Sequence, residues 1–178
     1  GELWVKNDSI SYIGDGKEFR NQKEDAIIFD REIDVEGNLL MPGFKDAHTH
    51  TAMTFLRSYA DDLPLQEWLE KQVFPNEAKL TKEDVYYLAI LGIMEYLTSG
   101  ITSNFDMYNF PRSIAKASKD TGFRTVFCSG LNNFVSNLEE LREDYNVINA
   151  MSPLTSFLPG IHAEYTTNQK LMEGLAKL

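Results

Sequence analysis

The stretch MPGFKDAHTH, residues 41–50, carries the strongest signal in this chain. It ends with His48 and His50, and the whole chain contains only three histidines. Alternate residues of a strand point to the same side, so the two imidazoles are predicted to share one face where a strand ends. Two imidazoles placed in this way can bind one metal ion. The alternative is a pair of ordinary polar residues at a strand end, and the near absence of histidine elsewhere favours the metal site.

Composition narrows the class of protein further. The content of 43% hydrophobic and 25% charged residues is typical of a folded globular protein. The net charge of −10 and the lack of any Lys and Arg cluster argue against a nucleic-acid or anionic-membrane partner. No run approaches the ~18 apolar residues of a membrane span, and Cys128 has no second cysteine with which to form a disulfide. A cytoplasmic location without membrane association is therefore predicted.

Residues 1–40 are predicted to form a small antiparallel sheet and a domain of their own. Short β-prone segments are separated by Asn-Asp at residues 7–8. A second pair of apolar runs surrounds the turn Glu-Gly-Asn at residues 36–38. No residue in this part suggests chemistry.

Residues 41–178 form a second predicted domain, in which apolar runs of strand length alternate with segments of helical period. Thr81 is predicted to cap one helix and Gly100 to end it, while Ser136 and Glu139 have the spacing of a capping box. Four strand–helix units of this kind imply parallel strands with right-handed connections. A closed eight-stranded barrel takes about 250 residues, so an α/β fold with the first half of such a barrel is predicted.

Two further side chains are predicted to lie at strand ends. Asp106 stands near the end of the second barrel strand, and His162 closes the fourth. Barrels of this type place their active sites at the carboxyl ends of the strands. From spacing alone His162 is a candidate third metal ligand. Asp106 either reaches the ligand or orients its neighbours by hydrogen bonds.

Three segments carry a resemblance to a known family. They are MPGFKDAHTHTAMTFLRSYADDLPLQEWLEKQVFPNEAKLT, YLTSGITSNFDMY and HAEYT, in that order along the chain. The first resembles the first barrel strand and following segment of the amidohydrolase superfamily. Its branch of methylthioadenosine/S-adenosylhomocysteine deaminases, guanine deaminase-like enzymes and chlorohydrolases is the most similar. The resemblance implies a TIM-type (β/α)8 barrel, here its first half, preceded by part of a small β-sandwich domain.

The resemblance also implies roles for individual residues. His48 and His50 match the metal ligands of the first strand. Trp68 matches an aromatic residue that packs on the purine, and Glu77 matches a carboxylate that binds ribose hydroxyls. His162 matches a histidine that touches the substrate and not the metal. The residues alone leave alternatives open. Trp68 could equally be a hydrophobic residue of the core, and Glu77 could be a polar residue that caps or solvates a loop.

The resemblance implies one divalent metal ion, zinc or iron, and a catalytic apparatus that this chain does not complete. A hydrolytic metal site needs about three protein ligands and an open position for water. In the resembled enzymes a later H-x-x-E segment and a later aspartate complete the site. Catalytic residues are therefore expected downstream of Leu178 and none is assigned within the chain. The initial Gly1 and the apparent helix at Leu178 favour an N-terminal fragment, expected to be inactive by itself.

Three positions depart from the resembled pattern. Ser129 stands where deaminases that accept S-adenosylhomocysteine have an arginine, the usual partner of a carboxylate. Glu164 replaces a common proline. Pro159 lies inside the predicted fourth strand and removes a backbone donor, which predicts a bulge or a local break.

The leading hypothesis is a metal-dependent hydrolase that, at full length, deaminates a purine nucleoside or related heterocycle. One alternative is a chlorohydrolase or cyclic amide hydrolase of the same superfamily. Another is a non-catalytic, metal-binding or dimerising half-barrel whose open flank a second copy covers. The predicted partner is a small-molecule substrate, and the sequence leaves a homo-oligomer open.

Overall fold

The computed structural model describes residues 1–17, 27–134 and 137–178. The chain divides into two compact units, Gly1–Met41 and Pro42–Leu178. Each unit has its own sheet.

The first unit contains one antiparallel hairpin. Strands β1 (Glu2–Lys6) and β2 (Ser9–Gly14) pair across the predicted turn, where Asn7 has a φ of 59°. The second predicted strand pair is wrong. Residues 27–40 form the turn, with Gly37 at a φ of 79°, but no strand, because none of the described residues pairs with them in a ladder.

The second unit is built on a four-stranded parallel sheet. Its strands are β3 (Phe44–Thr49), β4 (Ile101–Asp106), β5 (Arg124–Cys128) and β6 (Thr155–Leu158), in that spatial order. All three pairs of neighbours are parallel, as the strand–helix alternation predicted. The carboxyl ends of the four strands therefore lie along one edge.

Among the described residues, five helical segments and two 3₁₀ turns connect and follow these strands. Between β3 and β4 lie a 3₁₀ turn (Thr51–Leu56), the helical segment α1 (residues 65–77) and helix α2 (Lys82–Thr98). Helices α3 (Pro111–Thr121), α4 (Leu138–Met151) and α5 (Gln169–Ala176) follow β4, β5 and β6. A second 3₁₀ turn (Glu164–Thr166) precedes α5.

Segment α1 is irregular in a way that its sequence explains. Its first and last turns, Leu65–Trp68 and Phe74–Glu77, are α-helical, and the turn Leu69–Val73 between them is a π-helix. Pro75 has no backbone N–H, so the regular bond to the carbonyl four residues earlier cannot form, and the helix widens just before it. The segment carries Trp68 near its start and Glu77 at its end.

The ends of the helices follow the sequence signals where these can be compared. Thr81 and Asp84 form a reciprocal capping box at the start of α2, and Gly100 follows its end with a φ of 77°. Helix α4 is capped by Asn137, whose side-chain oxygen accepts from the backbone N–H of Glu139 over 2.9 Å. The predicted cap residue Ser136 lies outside the described residues.

One glycine brings α2 close to the end of β3. A Cβ added at Gly92 would lie 2.7 Å from the carbonyl oxygen of Thr51, a distance that real Cβ atoms do not tolerate. Glycine therefore lets the helix pack directly on the turn that follows the two histidines.

The core of this unit lies between the sheet and its helices. Phe123, Phe127 and Phe157 are buried with Ile93, Ile114 and Ile148 from the three helices α2, α3 and α4. Burying a side chain of this size contributes about 1.5–3 kcal/mol, and the core fixes the strands whose ends form the site.

The predicted break at Pro159 is confirmed. Strand β6 ends at Leu158, and the chain returns to the neighbouring strand only at an isolated bridge between Leu131 and Ile161. The backbone N–H of His162 then donates to the carbonyl oxygen of Leu131 over 3.0 Å. His162 is thus held beyond the strand and not within it.

Candidate metal and substrate site

A cavity of about 420 Å³ opens at the carboxyl ends of the parallel strands. His50, Trp68, Glu77 and His162 all line it, although they lie up to 112 positions apart in the sequence. This is the edge at which barrels of this architecture bind their substrates. The fold thus brings together four of the five site residues that the sequence analysis selected.

The fifth residue, His48, lies next to His50. The centroids of the two imidazole rings are 5.0 Å apart, and the ring planes are inclined at 80°. Tetrahedral coordination with Zn–N bonds of about 2.0–2.1 Å places the centroids of two bound imidazoles about 5 Å apart. The pair therefore fits two corners of one metal site.

A hydrogen bond fixes the tautomer of His50. Its Nδ1 lies 2.6 Å from the carbonyl oxygen of Met107, which can only accept, so Nδ1 carries the proton. The lone pair is then on Nε2, the nitrogen left for a metal ion. A ring N–H bonded to a backbone carbonyl is the usual outer contact of a metal-binding histidine.

The end of β4 holds the residues on both sides of His50. Asp106 accepts two hydrogen bonds at Oδ1, one from the backbone N–H of Thr51 over 2.9 Å and one from the hydroxyl of Thr49 over 3.1 Å. The side-chain amide of Asn104 donates to both threonine hydroxyls, each over 2.9 Å. These four residues are buried.

Asp106 is a fully buried carboxyl group. Burial raises its pKa from 3.8 to about 6, against the opposing effect of the hydrogen bonds from Thr51 and Thr49. Its second oxygen, Oδ2, has no hydrogen-bond partner among the described residues. Of the two sequence-based alternatives, hydrogen bonds to the neighbours of His50 are observed.

His162 does not join the histidine pair. Within the described ranges no group of three His, Cys, Asp or Glu side chains is placed to hold a metal ion. Nδ1 of His162 instead lies 3.0 Å from the hydroxyl of Thr166. The expectation from spacing alone, a third ligand from His162, is therefore not supported, because the break at Pro159 moves this residue off the strand.

Trp68 and Glu77 reach the cavity from α1. Trp68 is half-buried, so it is not one of the fully buried core side chains. Glu77 is also half-buried, and burial raises its pKa while Tyr108 and His50 oppose the shift. A carboxylate in this setting can accept hydrogen bonds from a ligand in the cavity.

Sequence reasoning missed Tyr108. Its hydroxyl is buried and forms no hydrogen bond of standard geometry among the described residues. Burial and the nearby carboxylate of Glu77 raise its pKa well above the ordinary range of a phenol. Its position two residues after Asp106, just beyond the end of β4, is the signal that could have identified it.

Ser129 is engaged with the backbone. Its hydroxyl donates to the carbonyl oxygen of Gly160 over 2.6 Å and accepts from the N–H of the same residue over 2.8 Å. The residue that stands in place of an arginine thus ties the end of β5 to the segment leading to His162.

In the described part of the chain, the cavity wall carries no lysine or arginine. Its charged members are Glu77, Glu140 and Asp144. Arg112 lies nearby but is paired with Asp144 over 2.5 Å and with Glu143 over 3.1 Å.

Residues 39–178 match the amidohydrolase family, and the chain belongs to it. It is 41% identical over 179 residues to the 5-methylthioadenosine/S-adenosylhomocysteine deaminase of Caldicellulosiruptor saccharolyticus, covering 100% of this chain. The chain spans 41% of the length of that relative. The family match and the 41% identical relative thus place the chain among the amidohydrolases.

Solved structures support the same assignment. An adenosine deaminase from Xanthomonas campestris with bound zinc superposes with a TM-score of 0.67 at 32% identity, over 76% of this chain and 34% of its own. The guanine deaminase of E. coli superposes with a TM-score of 0.72 over 98% of this chain and 43% of its own. At 17% identity the second likeness shows the fold alone.

These likenesses confirm the predicted α/β fold class with part of a TIM-type barrel. The part of a small β-sandwich expected for residues 1–40 stays a prediction. None of the helices in the described ranges has the length and apolar character that crossing a membrane requires.

Proposed function

We propose that the full-length protein is a metal-dependent hydrolase that removes the amino group of a purine nucleoside as ammonia. The observation that carries this proposal is the meeting of His50, Trp68, Glu77 and His162 at one cavity, with the ring of His48 beside that of His50. The name of the 41% identical relative, a methylthioadenosine and S-adenosylhomocysteine deaminase, supports the reaction and the substrate class.

His48 and His50 would hold one divalent ion, zinc or iron, through nitrogen atoms. The zinc bound to the adenosine deaminase of 32% identity supports this part of the proposal. When bound, such an ion supplies a Lewis acid that activates water for attack at neutral pH. We place the remaining metal ligands, a histidine and an aspartate, and the proton-transferring glutamate in the part of the relatives' length that this chain does not span.

The cavity residues would bind and orient the nucleoside. Trp68 offers a flat apolar face for the purine ring, which favours an offset stack. The Glu77 carboxylate accepts hydrogen bonds from the ribose hydroxyls, and charge-assisted bonds of this kind are about twice as strong as neutral ones. His162 contributes a ring nitrogen to the substrate while Thr166 engages the other.

The experiment is ammonia release by the full-length protein from adenosine, 5′-methylthioadenosine, S-adenosylhomocysteine, guanine and an aminotriazine. We expect turnover of at least one adenine nucleoside. Hydrolysis of a lactam or an aryl halide with no ammonia from any amine would show that the deaminase assignment is wrong and the superfamily assignment right.

Three histidine variants separate the two roles. H48A and H50A are each expected to lose bound metal and all turnover. H162A is expected to retain bound metal, measured by elemental analysis, and to lose substrate affinity. Loss of metal from H162A would contradict the roles assigned to the three histidines.

A further inference from the structure

We infer that Asp106 and Thr49 are positioning residues for the metal site, acting through hydrogen bonds to the backbone and side chains on either side of His50. This inference rests on the proposed function, because it assigns a purpose to residues that are not themselves ligands.

The contacts place a clasp around His50, defined as the side chains of Thr49, Asn104 and Asp106. The Thr49 hydroxyl shares its one proton between Oδ1 of Asp106 and the carbonyl oxygen of Phe105, which lie 3.1 and 3.0 Å from it. Asp106 accepts from the N–H of Thr51 on the far side of His50. The residues before and after the imidazole are therefore fixed by one carboxyl group.

The backbone of β4 completes this arrangement. Met107 donates its N–H to the carbonyl oxygen of Thr49 over 3.1 Å, and its own carbonyl accepts from Nδ1 of His50 over 2.6 Å. The ring and the peptide of His50 are thus oriented by the same short segment, residues 105–107. A change in the clasp moves the backbone from which both imidazoles project.

The clasp is buried deeply enough for its hydrogen bonds to be sensitive to single substitutions. Asp106 is 0% exposed, Asn104 4% and Thr49 7%. Removing one partner of a buried hydrogen bond leaves the other group with neither water nor protein to bond. The unsatisfied group raises the free energy of the original geometry. The segment from Thr49 to Thr51 then adopts another geometry, and this change displaces the histidines.

Asp106 acts in this scheme as an acceptor and not as a metal ligand. With His48 and His50 it would make a set of three, yet no such set within the described residues is placed to hold an ion. Asparagine keeps a carbonyl oxygen that can accept from both Thr51 and Thr49, whereas alanine does not. The two substitutions therefore distinguish hydrogen bonding from ligation.

The test measures Co²⁺ affinity of the full-length protein, prepared without metal, by competition with a chromophoric chelator and by the visible absorption of bound Co²⁺. D106A is expected to weaken Co²⁺ binding about tenfold or more, the usual effect of losing an outer-sphere contact. D106N is expected to stay within about threefold of the unsubstituted protein, with an unchanged spectrum, because its hydrogen bonds are retained. An equal loss in D106N and D106A, with an altered spectrum, would overturn the positioning role and favour direct ligation.

A matched pair of threonine variants removes stability as an explanation. Thr49 and Thr125 are both buried strand threonines with a bonded hydroxyl; that of Thr125 lies 2.8 Å from the hydroxyl of Ser118. T49V and T125V are expected to lose comparable unfolding free energy, but only T49V is expected to lose Co²⁺ affinity, about tenfold. Equal Co²⁺ affinity in the two variants would overturn the inference.

The outcomes keep this inference apart from the proposed function. Failure of the unsubstituted protein to bind Co²⁺ would contradict the metal site itself. Normal Co²⁺ binding that is insensitive to T49V and D106A would contradict the clasp alone.

Discussion

The backbone N–H of Thr51 donates to Oδ1 of Asp106 over 2.9 Å, while the other oxygen of that carboxyl group has no partner among the described residues. A buried carboxyl whose acceptor capacity is only partly used is expensive to ionise. The hydrogen bonds favour the charged form, burial favours the neutral form, and burial prevails, since the pKa rises to about 6.

This pKa predicts a pH-dependent stability. The folded-state pKa of Asp106 lies above its ordinary value of 3.8, so its contribution to stability is fully present below pH 3.8 and is lost as pH rises through 6. The difference corresponds to about 3 kcal/mol at neutral pH. D106N removes this pH dependence. As pH rises from 4 to 7, the unfolding free energy of D106N is therefore expected to increase relative to that of the unsubstituted protein. Urea unfolding at pH 4, 5.5 and 7, with metal removed by chelation, measures the difference.

An exposed carboxyl provides the control for this prediction. Asp120 is paired with Lys116 and Tyr86, and these contacts lower its pKa. Its contribution is present above its ordinary pKa of 3.8 and is lost only as pH falls below that value, so D120N is expected to lower the unfolding free energy by nearly the same amount at pH 4, 5.5 and 7 and to leave the stability profile parallel to that of the unsubstituted protein. Parallel profiles for D106N and the unsubstituted protein would show that Asp106 does not titrate in this range.

The sequence predicted the features that depend on short-range interactions and missed those that depend on residues far apart in the chain. The strand ending in His48 and His50, the cap at Thr81 and the stop at Gly100 depend on residues within a few positions of each other. Local periodicity and capping chemistry are enough to identify them. The wrong strand pair in residues 27–40 marks the limit of local reasoning, because a strand also needs a partner.

The clasp could not be read from local pattern. Thr49 and Asp106 are 57 positions apart, and their hydrogen bond depends on the register that places Thr49 opposite Asp106 in the parallel pair β3–β4. The proximity of the Tyr108 hydroxyl to Glu77 could not be read locally either, although the position of Tyr108 just beyond the end of β4 is a local signal. The resemblance to a family selected Trp68 and Glu77 because it contains tertiary information that spacing does not.

Gly92 is predicted to be needed for both stability and the metal site. An alanine Cβ would lie 2.7 Å from the carbonyl oxygen of Thr51, so G92A must push α2 away from the turn after His50. Overpacking of this kind costs about 1–3 kcal/mol. Chemical denaturation of G92A is expected to show a lower unfolding free energy, and Co²⁺ titration is expected to show a lower affinity.

The matched helical glycine is Gly174 in α5. A Cβ there would meet only the tip of the flexible Leu138 side chain, which can move aside. Since alanine is intrinsically the better helix former by about 1 kcal/mol, G174A is expected to be near neutral or stabilising and to leave Co²⁺ affinity unchanged. A G92A variant as stable as G174A would contradict the close approach of helix and turn.

Glu77 is predicted to contribute to nucleoside binding through the sugar. E77Q removes a half-buried charge that we assign to the ribose hydroxyls, and hydrogen bonds to charged groups contribute about 1.5–3 kcal/mol. With adenosine as substrate, kcat/KM is therefore expected to fall by about 10- to 100-fold. The dideoxy analogue of adenosine, which lacks both the 2′ and the 3′ hydroxyl, is expected to show little change in kcat/KM.

Glu140 lines the same cavity from α4 and supplies the control. E140Q is expected to affect adenosine and its dideoxy analogue alike, whatever the size of the effect. If E77Q lowers kcat/KM equally for both substrates, Glu77 acts on the cavity as a whole and not on the sugar.

The absence of lysine and arginine from the described cavity wall predicts a preference for thioether nucleosides that carry no carboxylate. The Ser129 hydroxyl is bonded to Gly160, and the described cavity wall has carboxylates but no lysine or arginine. A substrate carboxylate at this end would lose water without meeting a cation, and the missing charge-assisted bond is worth about 1.5–3 kcal/mol. Methylthioadenosine is therefore expected to be the better substrate, with a kcat/KM that exceeds the one for S-adenosylhomocysteine by about tenfold or more. S129R is expected to narrow this ratio, whereas S129A, which breaks the same contacts without adding charge, is not. A ratio near one in the unsubstituted protein would place a cation at the cavity that these residues do not supply.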